Sequence, residues 1–101
     1  MTRNLIVGLL ALTGLSAAQS PQTFTGIITD DMCALPGHAQ MRMGPTDADC
    51  VKACISAHGA SSVLLDGKNV YILSDQKTPE KFAAQKVAVV GTLDAKTKTI
   101  T

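Results

Sequence analysis

The chain has 101 residues and a formal net charge of +1 at pH 7, and hydrophobic residues make up 46% of it. Aromatic residues contribute only 3%, and tryptophan is absent. Proteins that bind nucleic acid neutralise phosphates with Lys and Arg and stack bases on aromatic rings, and this chain has neither a basic run nor many rings. The composition therefore argues for a small globular domain that does not bind nucleic acid.

Residues 1–18 predict an export signal. Arg3 supplies a positive charge, an apolar run extends from Leu5 to Leu15, and Ser16-Ala17-Ala18 places small residues before a cleavage site. The run is shorter than the roughly 20 apolar residues that span a bilayer, so we expect cleavage after Ala18 and no membrane anchor afterwards. The mature protein is expected to be periplasmic or secreted, where cysteines meet oxidising conditions.

Residues 19–101 predict a single small domain that begins with a strand. The strand runs from Phe24 to Thr29 and is rich in β-branched residues, while Gly26 indicates a bulge or a sharp bend. Asp30 and Asp31 are interpreted as turn-forming residues that end it, with binding of a hard cation as the alternative. Residues 32–49 then form a connection with Pro and Gly turn signals and no apolar periodicity. Connections of that length are usually functional or tied down.

A helix is predicted to follow this connection. Thr46 or Asp47 can cap its start, and it is expected to run to about Ala57 and to stop at Gly59. Three residues with metal-binding side chains recur in it at intervals of four: Cys50, Cys54 and His58. Side chains at that spacing lie on one face of a helix.

The second half of the chain predicts strands and one short helix. Asp66-Gly67, between two apolar runs, is typical of a type I′ hairpin turn. Thr78-Pro79 is typical of a helix start, with Thr as N-cap and Pro at the first helical position. The predicted strands are Ser61 to Leu65, Lys68 to Leu73, Val87 to Leu93 and Lys98 to Thr101.

Two sets of residues carry a resemblance. Residues 87–94, preceded by a hairpin and a short helix, look like the closing part of a small OB-fold barrel. The segments 29–33, 50–54 and 63–71, together with His38, resemble a family of small exported bacterial proteins of uncharacterised function. The resemblance implies a mostly β, OB-fold-like barrel with one or two short helices, and no known activity. Closing a barrel also removes exposed strand edges. An open α+β sheet is the structural alternative.

All three cysteines and both histidines lie between Cys33 and His58. Helical residues four apart have Cβ atoms about 5–6 Å apart, whereas a disulfide needs about 3.8 Å, so Cys50 and Cys54 are better placed to chelate than to bond each other. Loop residues Cys33 and His38 can complete a Cys3His set, which is typical of zinc, and thiolates equally suit Cu(I). The predicted ligands are Cys33, His38, Cys50 and Cys54, with His58, Met41 and Met43 as further candidates.

A disulfide between Cys33 and either Cys50 or Cys54 is the alternative, since two of three cysteines usually pair in an oxidising compartment. It would close a loop of about 20 residues and stabilise the domain by roughly 3 kcal/mol. The remaining cysteine would be reactive. This alternative predicts a stapled interaction module, that is, a disulfide-bonded domain that binds another exported protein.

No catalytic residue is predicted. Cysteine and histidine supply a nucleophile and a base, but nothing in the sequence indicates that they meet in a cleft, so we expect binding rather than catalysis. His58 can instead contact the carbonyls at the end of its helix, and Met41 and Met43 can be ordinary loop or core residues. The oligomeric state stays open.

Overall fold

The computed structural model describes residues 20–40 and 42–101, in which a six-stranded sheet is accompanied by one α-helix and two 3₁₀ helices. The strands are β1 (Gln22–Asp30), β2 (Ser62–Asp66), β3 (Asn69–Leu73), β4 (Lys86–Gly91), β5 (Leu93–Asp94) and β6 (Thr99–Ile100). The helix is α1 (Asp47–His58), and the 3₁₀ helices are His38–Gln40 and Thr78–Phe82. The predicted export signal and the candidate ligand Met41 lie outside the described residues. Within them, no helix has the length and hydrophobicity needed to cross a membrane.

The sheet has the strand order β4-β1-β2-β3-β6-β5. β1 pairs antiparallel with β4 through residues 22–27 and antiparallel with β2 through residues 27–30. β3 pairs antiparallel with β2 and parallel with β6, and β5 pairs antiparallel with β6. The N-terminal part of β1 therefore pairs with β4, and its C-terminal part pairs with β2.

The sheet curls into a half-barrel because its two outermost strands are consecutive in the chain. Only Thr92 separates β4 from β5. Thr92 and Thr101 exchange two backbone hydrogen bonds, each of 2.9 Å between nitrogen and oxygen. The strand predicted from Val87 to Leu93 is thus divided at Thr92, and its two parts pair with different neighbours. The predicted mostly β, OB-fold-like architecture is confirmed.

Gly26 permits the curl at the middle of β1. A Cβ atom at this position would come within 2.5 Å of the Leu65 carbonyl oxygen and 3.1 Å of the Leu64 side chain. Gly26 pairs in register with Val87 of β4. The absence of a side chain at Gly26 allows β2 to approach β1 closely. A bulge, one of the two predictions for Gly26, is absent, because residues 22–27 pair with β4 without interruption.

The main hydrophobic core lies inside the half-barrel. It consists of the buried side chains of Ile28, Leu64, Leu73 and Ile100. Partly buried residues pack around them: Phe24, Tyr71, Val87, Val89 and Leu93. The rings of Phe24 and Tyr71 lie 5.6 Å apart between centroids. With so few aromatic side chains available, this pair contributes much of the bulk of the core.

The helix and the hairpin follow the local sequence signals, with one correction. Thr46 caps α1 by accepting a hydrogen bond from the Asp49 N–H at 3.1 Å, and Gly59 ends it with a φ of 68°. The hairpin of β2 and β3 is present, but its turn is Gly67-Lys68, one residue later than predicted. Only the glycine of this pair has a positive φ, so the type I′ prediction is wrong and the turn resembles type II′.

The segment at Thr78 forms a 3₁₀ helix with Pro79 in its first turn. Thr78 was predicted as its N-cap, but Thr78 is its first residue and Lys77 is the N-cap, without a capping side-chain bond. The Asp75 carboxylate accepts hydrogen bonds from the backbone N–H groups of Lys77 (2.9 Å) and Thr78 (3.1 Å). A hydrogen bond from the Thr78 side chain, followed by the two backbone bonds, holds the pKa of the Asp75 carboxyl below its usual value.

Candidate metal centre

Asp30 positions Cys33 at the end of β1. One carboxylate oxygen of Asp30, Oδ2, accepts hydrogen bonds from the backbone N–H groups of Met32 and Cys33, each at 3.1 Å. The Cys33 N–H also lies 3.3 Å from the Asp30 carbonyl oxygen. These bonds turn the chain sharply, as predicted for an aspartate at this position. The turn directs the segment that carries Cys33 back over the body of the protein, where its side chain is buried.

The helix α1 contributes Cys50 and Cys54. Both side chains are fully buried, as is Val51 beside them. Because residues 50 and 54 are one turn apart, their side chains lie on the same face. The caps at Thr46 and Gly59 fix the ends of the helix and therefore the position of this face.

His38 lies in the 3₁₀ helix between Cys33 and α1. Its Nε2 atom is 3.2 Å from the hydroxyl oxygen of Thr29, a buried residue of β1. Its other ring nitrogen, Nδ1, is buried and has no hydrogen-bond partner. If Nε2 carries the proton and donates it to Thr29, Nδ1 presents a lone pair, the arrangement that a metal-binding histidine requires.

These elements bring five potential donor atoms together in two groups that share Cys33. Donor atoms of Cys33, His38 and Cys50 lie within 4.8 Å of one another, and so do those of Asp30, Cys33 and Cys54. The four predicted ligands, Cys33, His38, Cys50 and Cys54, are therefore near enough to hold a metal ion. Cys50 and Cys54, predicted to chelate together, belong to different groups, and each is joined to the other through Cys33.

The alternative disulfide of Cys33 with Cys50 or Cys54 is not formed. All three cysteines belong to the described part of the chain, and no two of their sulfur atoms are at bonding distance. The sulfurs instead form a compact buried cluster, against which Met43 and Ala60 pack.

Burial and charge both oppose ionisation of Cys33 and Cys54 in the metal-free protein. Burial, followed by the negative charge of Asp30 and contacts with Cys54, raises the pKa of Cys33 from 9.0 to about 12. The pKa of Cys54 is raised for the same first two reasons, burial and Asp30. A metal ion bound here must displace protons from these thiols, since thiolates are the metal-binding form. Affinity at the cluster is therefore expected to rise with pH.

The loop after His38 covers the cluster on the side of Cys50. The Met43 N–H donates a hydrogen bond to Cys50 Sγ at 3.4 Å, a contact that stabilises negative charge on sulfur. Gly44 allows this approach, because a Cβ atom there would lie 2.7 Å from the Asp49 Cβ. Met43, predicted as a further candidate ligand, thus contacts the cluster through both its backbone N–H and its side chain.

His58 is exposed in the last turn of α1 and belongs to neither donor group. A cationic side chain is favoured at that end of a helix, which is the other role predicted for it. Asp30 is a donor that was not among the predicted soft-metal ligands. Its turn-forming role was predicted, with a hard cation as the alternative, but nothing in the sequence indicated that this last residue of β1 lies beside Cys33 and Cys54.

Comparison of the chain with protein families, with curated proteins and with solved structures finds no match. The geometry of the donor groups is therefore the basis on which a function can be argued.

Proposed function

We propose that this protein is an exported domain that binds a soft or borderline metal ion, Zn²⁺ or Cu(I), through Cys33, His38, Cys50 and Cys54. The observation that carries the proposal is the convergence of buried sulfur and imidazole donors around Cys33, within 4.8 Å in each group. Thiolate and imidazole are the donors that these two metals prefer.

The hydrogen bonding of His38 supports the proposal. A buried polar atom without a partner costs free energy, and His38 Nδ1 is such an atom. A metal ion would give it one. The bond between Nε2 and Thr29 would then hold the ring in the metal-binding tautomer, as outer hydrogen bonds to metal-bound histidines commonly do.

The small size of the domain supports a structural role for the ion. The cluster joins the loop after β1 to the helix α1. In small domains, the free energy of metal binding adds to the free energy of folding. The ion would thus replace the disulfide that exported domains of this size often use.

The first test is native mass spectrometry of the protein isolated from its export compartment without added metal, combined with a thiol count after denaturation. We expect a mass surplus of one metal ion and three titratable thiols. A mass deficit of two hydrogens with no metal and one thiol would overturn the proposal and favour the stapled interaction module.

Two variants test the ligand assignment in the same measurement. Cys54→Ser replaces a buried sulfur with a poor ligand for soft metals and is expected to abolish the mass surplus. His58→Ala, on the same helix but outside both donor groups, is the matched control and is expected to retain it. Loss of metal from the His58 variant alone would contradict the assignment.

A further inference from the structure

Asp30 holds a buried carboxylate oxygen that the fold does not use. The residue is fully buried, and Oδ2 accepts both of the hydrogen bonds from the following turn. The second oxygen, Oδ1, is buried and has no hydrogen-bond partner. Leaving a carboxylate oxygen unsatisfied in the interior is costly, and buried carboxylates are normally paired or bound to metal.

The carboxylate faces the cysteines and not a basic side chain. An Asp30 oxygen, Cys33 Sγ and Cys54 Sγ lie within 4.8 Å of one another. Among the described residues, the one ion pair is that between Arg42 and Asp47, whose side chains are about half exposed. The chain therefore places a carboxylate beside potential thiolates, an arrangement that gathers negative charge and that a cation would relieve.

Resting on the metal site proposed above, we infer that Asp30 is a further donor through Oδ1, in the group that it forms with Cys33 and Cys54, and that it makes the site selective for a divalent borderline ion, Zn²⁺, over Cu(I). Zinc accepts carboxylate oxygen, imidazole nitrogen and thiolate in one coordination shell. Cu(I) is bound preferentially by thiolate and thioether sulfur, and carboxylate oxygen is a donor suited to harder ions.

Charge favours the same ion. Three thiolates and one carboxylate carry four negative charges, and neutral His38 adds none. A dication offsets two of these charges, whereas a monovalent copper ion offsets one and leaves a larger net charge in a buried site. Because uncompensated charge is strongly disfavoured in the interior, Asp30 penalises the monovalent ion more than the divalent one.

The experiment measures the Zn²⁺ and Cu(I) affinities of the full chain by anaerobic competition with chromophoric chelators, for Asp30→Asn and a matched control. Asn can keep the oxygen that accepts the Met32 and Cys33 N–H groups. The control is Asp31→Asn, which removes the same charge from an exposed neighbour whose carboxylate accepts the Ser61 N–H.

We expect Asp30→Asn to lower Zn²⁺ affinity by about 10–100-fold, the range found when groups that support a metal site are removed, and to leave Cu(I) affinity unchanged or higher. Asp31→Asn should change neither affinity. An equal loss for both ions, or no loss for either, would overturn the selectivity proposed for Asp30.

A measurement on the unaltered protein keeps the inference testable if Asp30→Asn does not fold. Zinc K-edge X-ray absorption should resolve sulfur donors at about 2.3 Å and light-atom donors at about 2.0–2.2 Å. Two light-atom donors, the His38 nitrogen and the Asp30 oxygen, are expected. A single one would overturn Asp30 as a ligand.

The outcomes also separate this inference from the proposed function. If the unaltered protein binds neither ion, the metal site itself is wrong. If it binds metal and the two aspartate variants behave alike, the site is retained and only the role of Asp30 is wrong.

Discussion

The molecule has two buried regions of different chemistry, and both involve residues of the C-terminal part of β1. The first region is an apolar core inside the half-barrel, in which the side chains contact one another and need no further partner. Its buried members are Ile28, Leu64, Leu73 and Ile100. Beyond it, Cys33, Cys50 and Cys54 form a cluster that also contains the unpartnered atoms Asp30 Oδ1 and His38 Nδ1. Apolar side chains are stabilised by packing alone, whereas buried oxygen and nitrogen atoms also require a hydrogen-bond partner or a metal ion.

This difference suggests that the barrel core determines the fold and that the cysteine cluster is organised for a ligand. Truncating a core side chain should destabilise the protein whether or not metal is present. Altering a donor should matter mainly when metal is bound. The following predictions test this separation.

Leu64→Ala is expected to have the largest effect. Leu64 is fully buried at the centre of the core, and a Leu to Ala change at such a site costs about 2–5 kcal/mol through lost contacts and the cavity left behind. Urea denaturation should show the same loss in chelator-treated and zinc-loaded protein. A loss confined to the zinc-loaded form would contradict the separation of the two regions.

Cys54→Ser should remove the metal-dependent part of the stability. With metal at 100 to 1,000 times its dissociation constant, binding to the folded state alone contributes about 3–4 kcal/mol. The variant should therefore unfold at the same urea concentration with and without zinc, while the unaltered protein shifts. A zinc-dependent shift retained by the variant would exclude Cys54 as a ligand.

The metal-free protein should lose stability as pH rises above about 9. Burial and the charge of Asp30 raise the pKa of Cys33 from 9.0 to about 12, so the unfolded chain releases this proton first. Above pH 9 the unfolded state binds fewer protons, and stability falls by up to about 1.4 kcal/mol per pH unit until the folded-state pKa is reached.

Chelator-treated, reduced protein measured by urea denaturation from pH 8 to 11 should show this slope. Cys33→Ala, which lacks the thiol, should have a flatter profile than the unaltered protein. Identical slopes would show that Cys33 is not held in the protonated form by its surroundings.

Thr29→Val should weaken metal binding with little effect on the fold. Valine keeps the shape and β-propensity of threonine but removes the hydroxyl that lies 3.2 Å from His38 Nε2. Losing a hydrogen bond that orients a ligand typically lowers affinity about 10-fold or more. Zinc competition should detect this change, while Thr25→Val, an exposed position on the same strand, serves as the control. Equal affinities for the two variants would remove Thr29 from the site.

Elements governed by neighbouring residues were predicted well. The helix α1 begins after Thr46 and ends before Gly59 because a hydroxyl cap and a glycine with positive φ act within one turn. The hairpin was predicted for the same reason, although its turn shifted by one residue, because the pairing of Asp66 with Asn69 determines the register and Asp66-Gly67 alone does not. The joining of Cys33 and His38 to α1 was predicted from their chemistry.

What the sequence by itself determined are the local elements and the identity of the soft donors, since capping, turn and ligand chemistry belong to individual residues and short spacings. Only the tertiary structure decided that Thr92 divides one predicted strand between two neighbours, that Thr29 orients His38, and that Asp30 faces the cysteines. The features at Thr29 and Asp30 arise where β1, the loop after it and α1 meet, and the one at Thr92 arises where the two outermost strands of the sheet follow one another. Their geometry depends on how the sheet curls, which no short segment encodes.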